Sequence, residues 1–184
     1  MAWMIGAAAM ALAAVIAAVL RTPRTVEYVE TVVVGAPART VFDAIRFQER
    51  LMLWSAWPST TKSTCACEGV DGVVGARTVF FSKGKRFGHQ EVTRLIDGRA
   101  VELSLQSAGP PQKPRIRFDL VPLSDGETEV RLHFRNEIER PFNVILRLFG
   151  VVAWTREMHR KDLQGLKRYV EPPHLTYVGD PAPR

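Results

Sequence analysis

Five consecutive segments in the middle of the chain alternate apolar and polar residues across short turns, and that pattern leaves few ways to fold. They run from Gly75 to Ser82, Phe87 to Ile96, Arg99 to Gln106, Arg115 to Leu123 and Glu127 to Glu139, bounded by Gly, Pro, Asp or Ser. Alternation with short turns predicts an antiparallel meander. Ahead of them, Thr25 to Val34 (TVEYVETVVV) is rich in β-branched residues and reads as another strand. Val101, Leu103 and Leu105 share one side, opposite Glu102, Ser104 and Gln106; Ile116, Phe118 and Leu120 oppose Arg115, Arg117 and Asp119; Val130, Leu132 and Phe134 oppose Arg131, His133 and Arg135. The sheet therefore has one apolar face that something must cover. The long candidate is Phe142 to Val170, read as a single helix of about thirty residues, well above the usual length. Pro37 opens a stretch in which Val41, Ile45 and Leu51 recur at helical spacing, predicting one or two short helices after the first strand. The expected class is α+β, a curved antiparallel sheet around one long C-terminal helix.

Residues 1–20, MAWMIGAAAMALAAVIAAVL, carry no charged side chain, and a helix of that length rises about 30 Å, the thickness of a bilayer's hydrocarbon core. They read as a transmembrane anchor. A cleaved signal peptide is the alternative, since Ala7 and Ala9 resemble a cleavage site, but a basic n-region is missing. Arg21 and Arg24 follow the run, so the positive-inside bias puts the body in the cytoplasm, with export after signal cleavage as the alternative. Small-residue spacings, Ala7 to Ala11 and Ala14 to Ala18, allow a weak homodimer through this helix. Residues 21–25 read as a hinge, 26–171 as the body and 172–184, with four prolines, as a flexible tail.

Lys and Arg number 25 against 19 Asp and Glu, a net charge of +6. Arg21, Arg24, Arg147, Arg156, Arg160, Lys161, Lys167 and Arg168 suit anionic lipid head groups, whereas no nucleic-acid motif accompanies the charge, so nucleic acid is not an expected partner. Elbow, zincin, P-loop and dinucleotide signatures are missing, and no cofactor is implied. Cys65 and Cys67 would share one face of a strand, but further metal ligands are not identifiable and packing is the expected role. His133 falls on the charged sheet face and His174 in the tail, neither with metal ligands nearby.

On a helical wheel with Leu148 as zero, Leu166 coincides with it, and Ile145, Val151, Val152, Leu163, Tyr169 and Val170 cluster within about 60°. Thr155, His159 and Asp162 fall in the same arc, at steps of four and three residues, and so stand above one another. A carboxylate beside an imidazole orients one tautomer, which suits proton transfer or anchoring of a ligand's polar group. A shift of phase at Gly150 or Gly165 would instead carry the trio to the solvent edge.

The chain resembles the START-like, or SRPBCC, superfamily and its polyketide cyclase/dehydrase and lipid-transport branch. The resemblance rests on Ala36 to Ile45 (APARTVFDAI), Leu53 to Pro58 (LWSAWP), the Gly72 to Ala76 turn and the closing Asp162 to Lys167 (DLQGLK), in that order and spacing. It implies a helix-grip fold over residues 26–171 with a deep pocket for a sterol, lipid, polyketide or similar ligand. It also turns Gln90 and Val92 inward. The expected ligand-contacting set is then Trp54 or Trp57 at the mouth, Gln90, Leu103, Phe118, Leu132, Leu148, Val152, Thr155 and His159. The leading expectation is a membrane-tethered binding or transfer module for a small hydrophobic ligand such as a lipid, quinone or isoprenoid. Two others stand beside it. One is a cyclase or dehydratase using His159 as acid/base with Asp162 orienting it; the other is a structural partner of another membrane protein.

Overall fold

A computed structural model describes residues 2–171, except for the side chains of Ala2, Ile5, Ala8, Ala9, Ala11 and Leu12. Helix α1 (Ala2–Arg21) leads into β1 (Thr25–Val34), followed by three short helices, α2 (Ala38–Arg46), α3 (Gln48–Trp54) and α4 (Trp57–Thr61). Strands β2 (Thr64–Glu68), β3 (Arg77–Ser82), β4 (Lys85–Ile96), β5 (Ala100–Ser107), β6 (Arg115–Ser124) and β7 (Glu127–Glu137) come next, then α5 (Phe142–Leu148) and α6 (Val151–Val170). The strands form one antiparallel sheet in the order β1-β7-β6-β5-β4-β3-β2. Register shifts at Phe80/Phe81, Val92/Arg94 and Pro122/Ser124 mark irregularities that bend and twist such ladders, as a sheet that wraps a helix requires. The expected meander is present, with β2 as an additional strand.

Alternation assigned the faces correctly. Val101, Leu103, Ile116, Phe118, Leu120, Val130, Leu132 and Phe134 are all buried, on the side that α2 and α6 cover. The expected thirty-residue helix is two helices, because the chain turns at Phe149-Gly150, where Gly150 takes φ +69°, a left-handed conformation that interrupts helical geometry. The wheel's phase is lost across that break. Leu148 is 79% exposed instead of inward, and Ile145 is also exposed. Within α6 the expected arc is kept at His159, Asp162, Leu163 and Leu166, which are buried with Met158 and Gly165, while Tyr169, also expected inward, is 41% exposed.

The short helices are held by side chains drawn from far along the chain. Asp71, in the loop before β3, accepts hydrogen bonds from the Gln48 and Glu49 backbone N–H groups at 2.6 and 3.2 Å, satisfying two orphan donors at the start of α3. Trp54 donates from its indole to the Ala44 carbonyl at 3.0 Å, tying α3 to α2. At Gly165, α6 passes so close to α3 that a Cβ would overlap the Trp54 carbonyl oxygen.

The N-terminal segment is helical as expected. Its end is bonded to the body: Arg140 donates to the Val19 and Leu20 carbonyls at 3.1 and 2.7 Å, and the buried Asn143 amide donates to Thr22 O at 2.9 Å. Among the described residues no helix is long and apolar enough to cross a membrane. The expected transmembrane anchor is therefore not supported by the fold. The expected tail, with His174, also lies outside the described residues.

Candidate functional site

A partly open cavity of about 260 Å³ lies between the sheet and α6. Its position follows from the register. Val26 lies near the start of β1, Phe134 and Asn136 near the end of β7, Ile116 near the start of β6, Leu105 near the end of β5 and Gly88 near the start of β4. All belong to one end of the sheet, the end where the chain leaves α1. Toward the other end, Val130 and Leu132 of β7 are fully buried and lie outside the cavity's lining.

The walls are mostly apolar. Of the expected ligand contacts, Trp54, Trp57, Gln90, Leu103, Phe118, Val152, Thr155 and His159 line the cavity, as does Asp162. Leu132 and Leu148 are outside the lining: Leu132 packs in the closed half of the sheet, and Leu148 lies beyond the helix break. Trp54 is 6% exposed and meets Phe118 edge-on, so it is wall and core at once rather than rim. Trp57 is half-buried and packs edge-on against Trp154 at 5.2 Å.

His159 is 1% exposed, with Phe134 and Tyr28 rings at 4.9 and 5.8 Å and Trp57 at 6.1 Å. Its Nδ1 shares a 2.8 Å hydrogen bond with the Tyr28 hydroxyl. Burial pushes the imidazole down to about 4, although Glu30 pulls the other way, so the ring is neutral at pH 7. Burial likewise drives the Tyr28 hydroxyl above its ordinary value, keeping it protonated. With Nδ1 engaged by Tyr28, Nε2 is the ring atom left for a ligand. Thr155 spends its hydroxyl proton on the Val151 carbonyl at 2.9 Å and keeps lone pairs to offer.

Asp162 does not serve His159. Its Oδ1 accepts from the Ala56 backbone N–H at 2.7 Å and the Ser55 hydroxyl at 3.1 Å, so the carboxyl closes the α3–α4 turn against α6. Burial pushes it up to about 7 despite the opposing pull of Ala56, Ser55 and Trp57. The expected orienting dyad is therefore absent: a step of three residues stacked the two Cβ atoms, but the carboxylate's donors sit on another helix.

On the sheet side Gln90 is buried, as expected, and its amide donates at 2.8 Å to Gln48 Oε1, which also accepts from the Thr78 hydroxyl at 3.2 Å. That arrangement leaves Gln90 Oε1 as an acceptor in the wall. Gln48 Nε2 is buried without a hydrogen-bond partner among the described residues.

Tyr28, Gln48 and Trp154 were not singled out from sequence. Tyr28 had a signal, since it falls in phase with Val26 and Val34 on the inward face of β1; Gln48 had none. Cys65 and Cys67 do share a strand, but β2 is a sheet edge, Cys67 is exposed and Cys65 half-buried, so the expected packing role fails. No group of three His, Cys, Asp or Glu able to hold a metal occurs among the described residues. His133 pairs with Asp119 at 3.2 Å on the outer face. Arg156 and Arg160 of the expected basic face both bind Glu30, so that surface is partly neutralised.

The family described as polyketide cyclase/dehydrase and lipid transport matches residues 25–171. No curated protein matches the sequence closely enough to count as a relative. Among solved structures, a protein from Nitrosospira multiformis is 20% identical, with a TM-score of 0.59 over 79% of this chain and 97% of that one. The Aha1 dimer from Colwellia psychrerythraea is 20% identical, TM-score 0.58, over 81% and 98%. Norcoclaurine synthase from Thalictrum flavum, solved with dopamine and hydroxybenzaldehyde, is 12% identical, TM-score 0.57, over 80% and 90%. At these identities the likeness is one of fold.

Proposed function

This chain belongs to the polyketide cyclase/dehydrase and lipid transport family, and from that premise we propose that it is a binding or transfer module for a small hydrophobic ligand, tethered to a membrane by α1 with its body on the cytoplasmic side. The observation that carries the reading is the cavity, whose wall surface is mostly apolar while polar side chains, among them His159 and Thr155 from α6, Gln90 from β4 and Asn136 from β7, stand around it. That is the composition of a site that takes up an apolar body and fixes one polar group. At about 260 Å³ the cavity is slightly below the roughly 300–1,000 Å³ of small-molecule pockets, so the ligand is compact or projects through the opening.

Binding is favoured over acid/base catalysis for a physical reason. An imidazole pushed down to about 4 is a feeble base at neutral pH, and the carboxyl expected to support it is engaged with Ser55 and Ala56. The tether is supported by the uncharged run up to Val19 and Leu20 and by Arg21 and Arg24 after it; any homodimer through α1 is weak.

Native mass spectrometry of the full chain released from detergent tests the binding role. A small apolar molecule should co-purify, and His159→Phe should weaken its retention by about 1–3 kcal/mol, one hydrogen bond to a buried group. A chain that carries no adduct and takes up no apolar probe would refute the reading.

A further inference from the structure

The turn that breaks the closing helix carries the two most exposed large apolar side chains among the described residues. Leu148 and Phe149 are 79% and 80% exposed, and Ile145 is exposed beside them. The residues flanking the turn, Leu146 on one side and Val151 and Val152 on the other, line the cavity, so Leu148 and Phe149 stand at its rim.

Three observations place this rim beside the end of α1. Arg140 and Asn143, just before and within α5, bind the last carbonyls of α1 and Thr22. Arg147 donates to Thr25 O, where β1 begins, and Ile138 N–H donates to Arg24 O. The cavity itself occupies the end of the sheet where β1 starts and β7 finishes.

Charge is arranged accordingly. Arg21, Arg24, Lys113, Arg115, Arg140 and Arg147 are exposed at this end, against Glu137 and Glu139, whereas the far end mixes Arg39, Arg99 and Lys167 with Asp97, Asp125 and Glu127. Basic side chains around an apolar tip match anionic head groups above hydrocarbon.

We propose that the Leu148-Phe149 turn is a wedge that inserts into the lipid bilayer beside α1 and opens the cavity toward it, so that the ligand is a membrane-resident amphiphile taken up without crossing water. This rests on the tether and binding roles proposed above. Leu146, Val151 and Val152 then form a continuous apolar path from the bilayer into the cavity.

The test uses the full chain, with Cys65→Ser and Cys67→Ser, in phosphatidylcholine vesicles containing phosphatidylglycerol. An environment-sensitive dye is attached at Phe149→Cys or at Leu123→Cys, which is also exposed but lies near the opposite end of the sheet. The dye at position 149 should emit as in hydrocarbon and be quenched by brominated lipid, whereas that at 123 should report water. In the otherwise unaltered chain, Leu148→Asp with Phe149→Asp should slow transfer of a polyene fatty acid from vesicles into the protein roughly tenfold, while its equilibrium affinity in dilute solution is unchanged. Both residues are exposed, so folding is not at stake. Carbonate extraction and probe binding separate the premises. If carbonate leaves the protein in the vesicles and the probe binds, a water-like signal at 149 overturns the wedge alone. If carbonate strips the protein, or the probe does not bind, the corresponding premise falls and the wedge with it.

Discussion

Replacing Asp162 by Asn and His159 by Phe should tilt the pH dependence of stability in opposite directions. The His159 imidazole titrates at about 4 in the folded chain against an ordinary 6.5, so its contribution is complete above 6.5 and is lost as the pH falls toward 4. That difference corresponds to about 3 kcal/mol. The Asp162 carboxyl titrates at about 7 against an ordinary 3.8, so its contribution is complete below 3.8 and is lost as the pH rises toward 7, by about 4 kcal/mol. Between pH 4 and 6.5 the two nearly cancel, and the unaltered chain should show a flat profile from this pair. Asp162→Asn keeps an acceptor for Ala56 and removes the titration, so stability should climb with pH across that window. In His159→Phe the acid remains and stability should fall with pH. Urea unfolding at half-unit pH steps reads both slopes; parallel profiles in the two variants would mean that one of these groups is not buried as described.

Gly165→Ala should be the most damaging single methyl in the body. In an exposed helix interior this change stabilises by roughly 1 kcal/mol, since alanine is the better helix former. Here the new Cβ would overlap the Trp54 carbonyl oxygen, a backbone atom that no rotamer change can move aside. The helices must separate, at a cost of about 3 kcal/mol. Because Trp54 is also a cavity wall and donates to Ala44, the displacement should weaken apolar probe binding as well as lower the unfolding midpoint. Gly150→Ala, which meets no neighbour within 4 Å but stands at φ +69°, should cost less, about 1 kcal/mol for the left-handed conformation. If Gly165→Ala is as stable as the parent chain, the close crossing of α3 and α6 is wrong.

What the sequence conveyed follows from which forces are local. Alternation on β5, β6 and β7 is a property of neighbouring residues, and it placed Leu103, Phe118 and Leu132 on the buried face. The same reasoning put His159 and Asp162 inside, because α6 is regular from Val151 onward. It failed at Leu148, since one glycine in a left-handed conformation resets the phase and every residue before it turns elsewhere. It failed for the His159–Asp162 pairing because a side chain's partner is set by what packs against it. The donors of Asp162 come from Ser55 and Ala56, and the partner of His159 is Tyr28, more than a hundred residues away. Leu132 separated from the cavity for a similar reason: facing the interior is written in the strand, but how far the covering helices fill that interior is not. Gln48, which holds Gln90, sits at the start of a seven-residue helix too short to show periodicity.

Energy transfer from tryptophan to a bound polyene fatty acid tests the cavity most directly. Trp57 and Trp154 touch edge-on in its wall and Trp54 lies behind, so in a Trp3→Phe background every remaining donor lines the cavity. Binding inside predicts a saturable loss of tryptophan emission at one ligand per chain, weakened in His159→Phe and in Gly165→Ala but not by Leu132→Ile in the closed half of the sheet. Transfer that never saturates, or that is indifferent to His159→Phe and Gly165→Ala, would show that the interior between sheet and α6 does not hold the ligand.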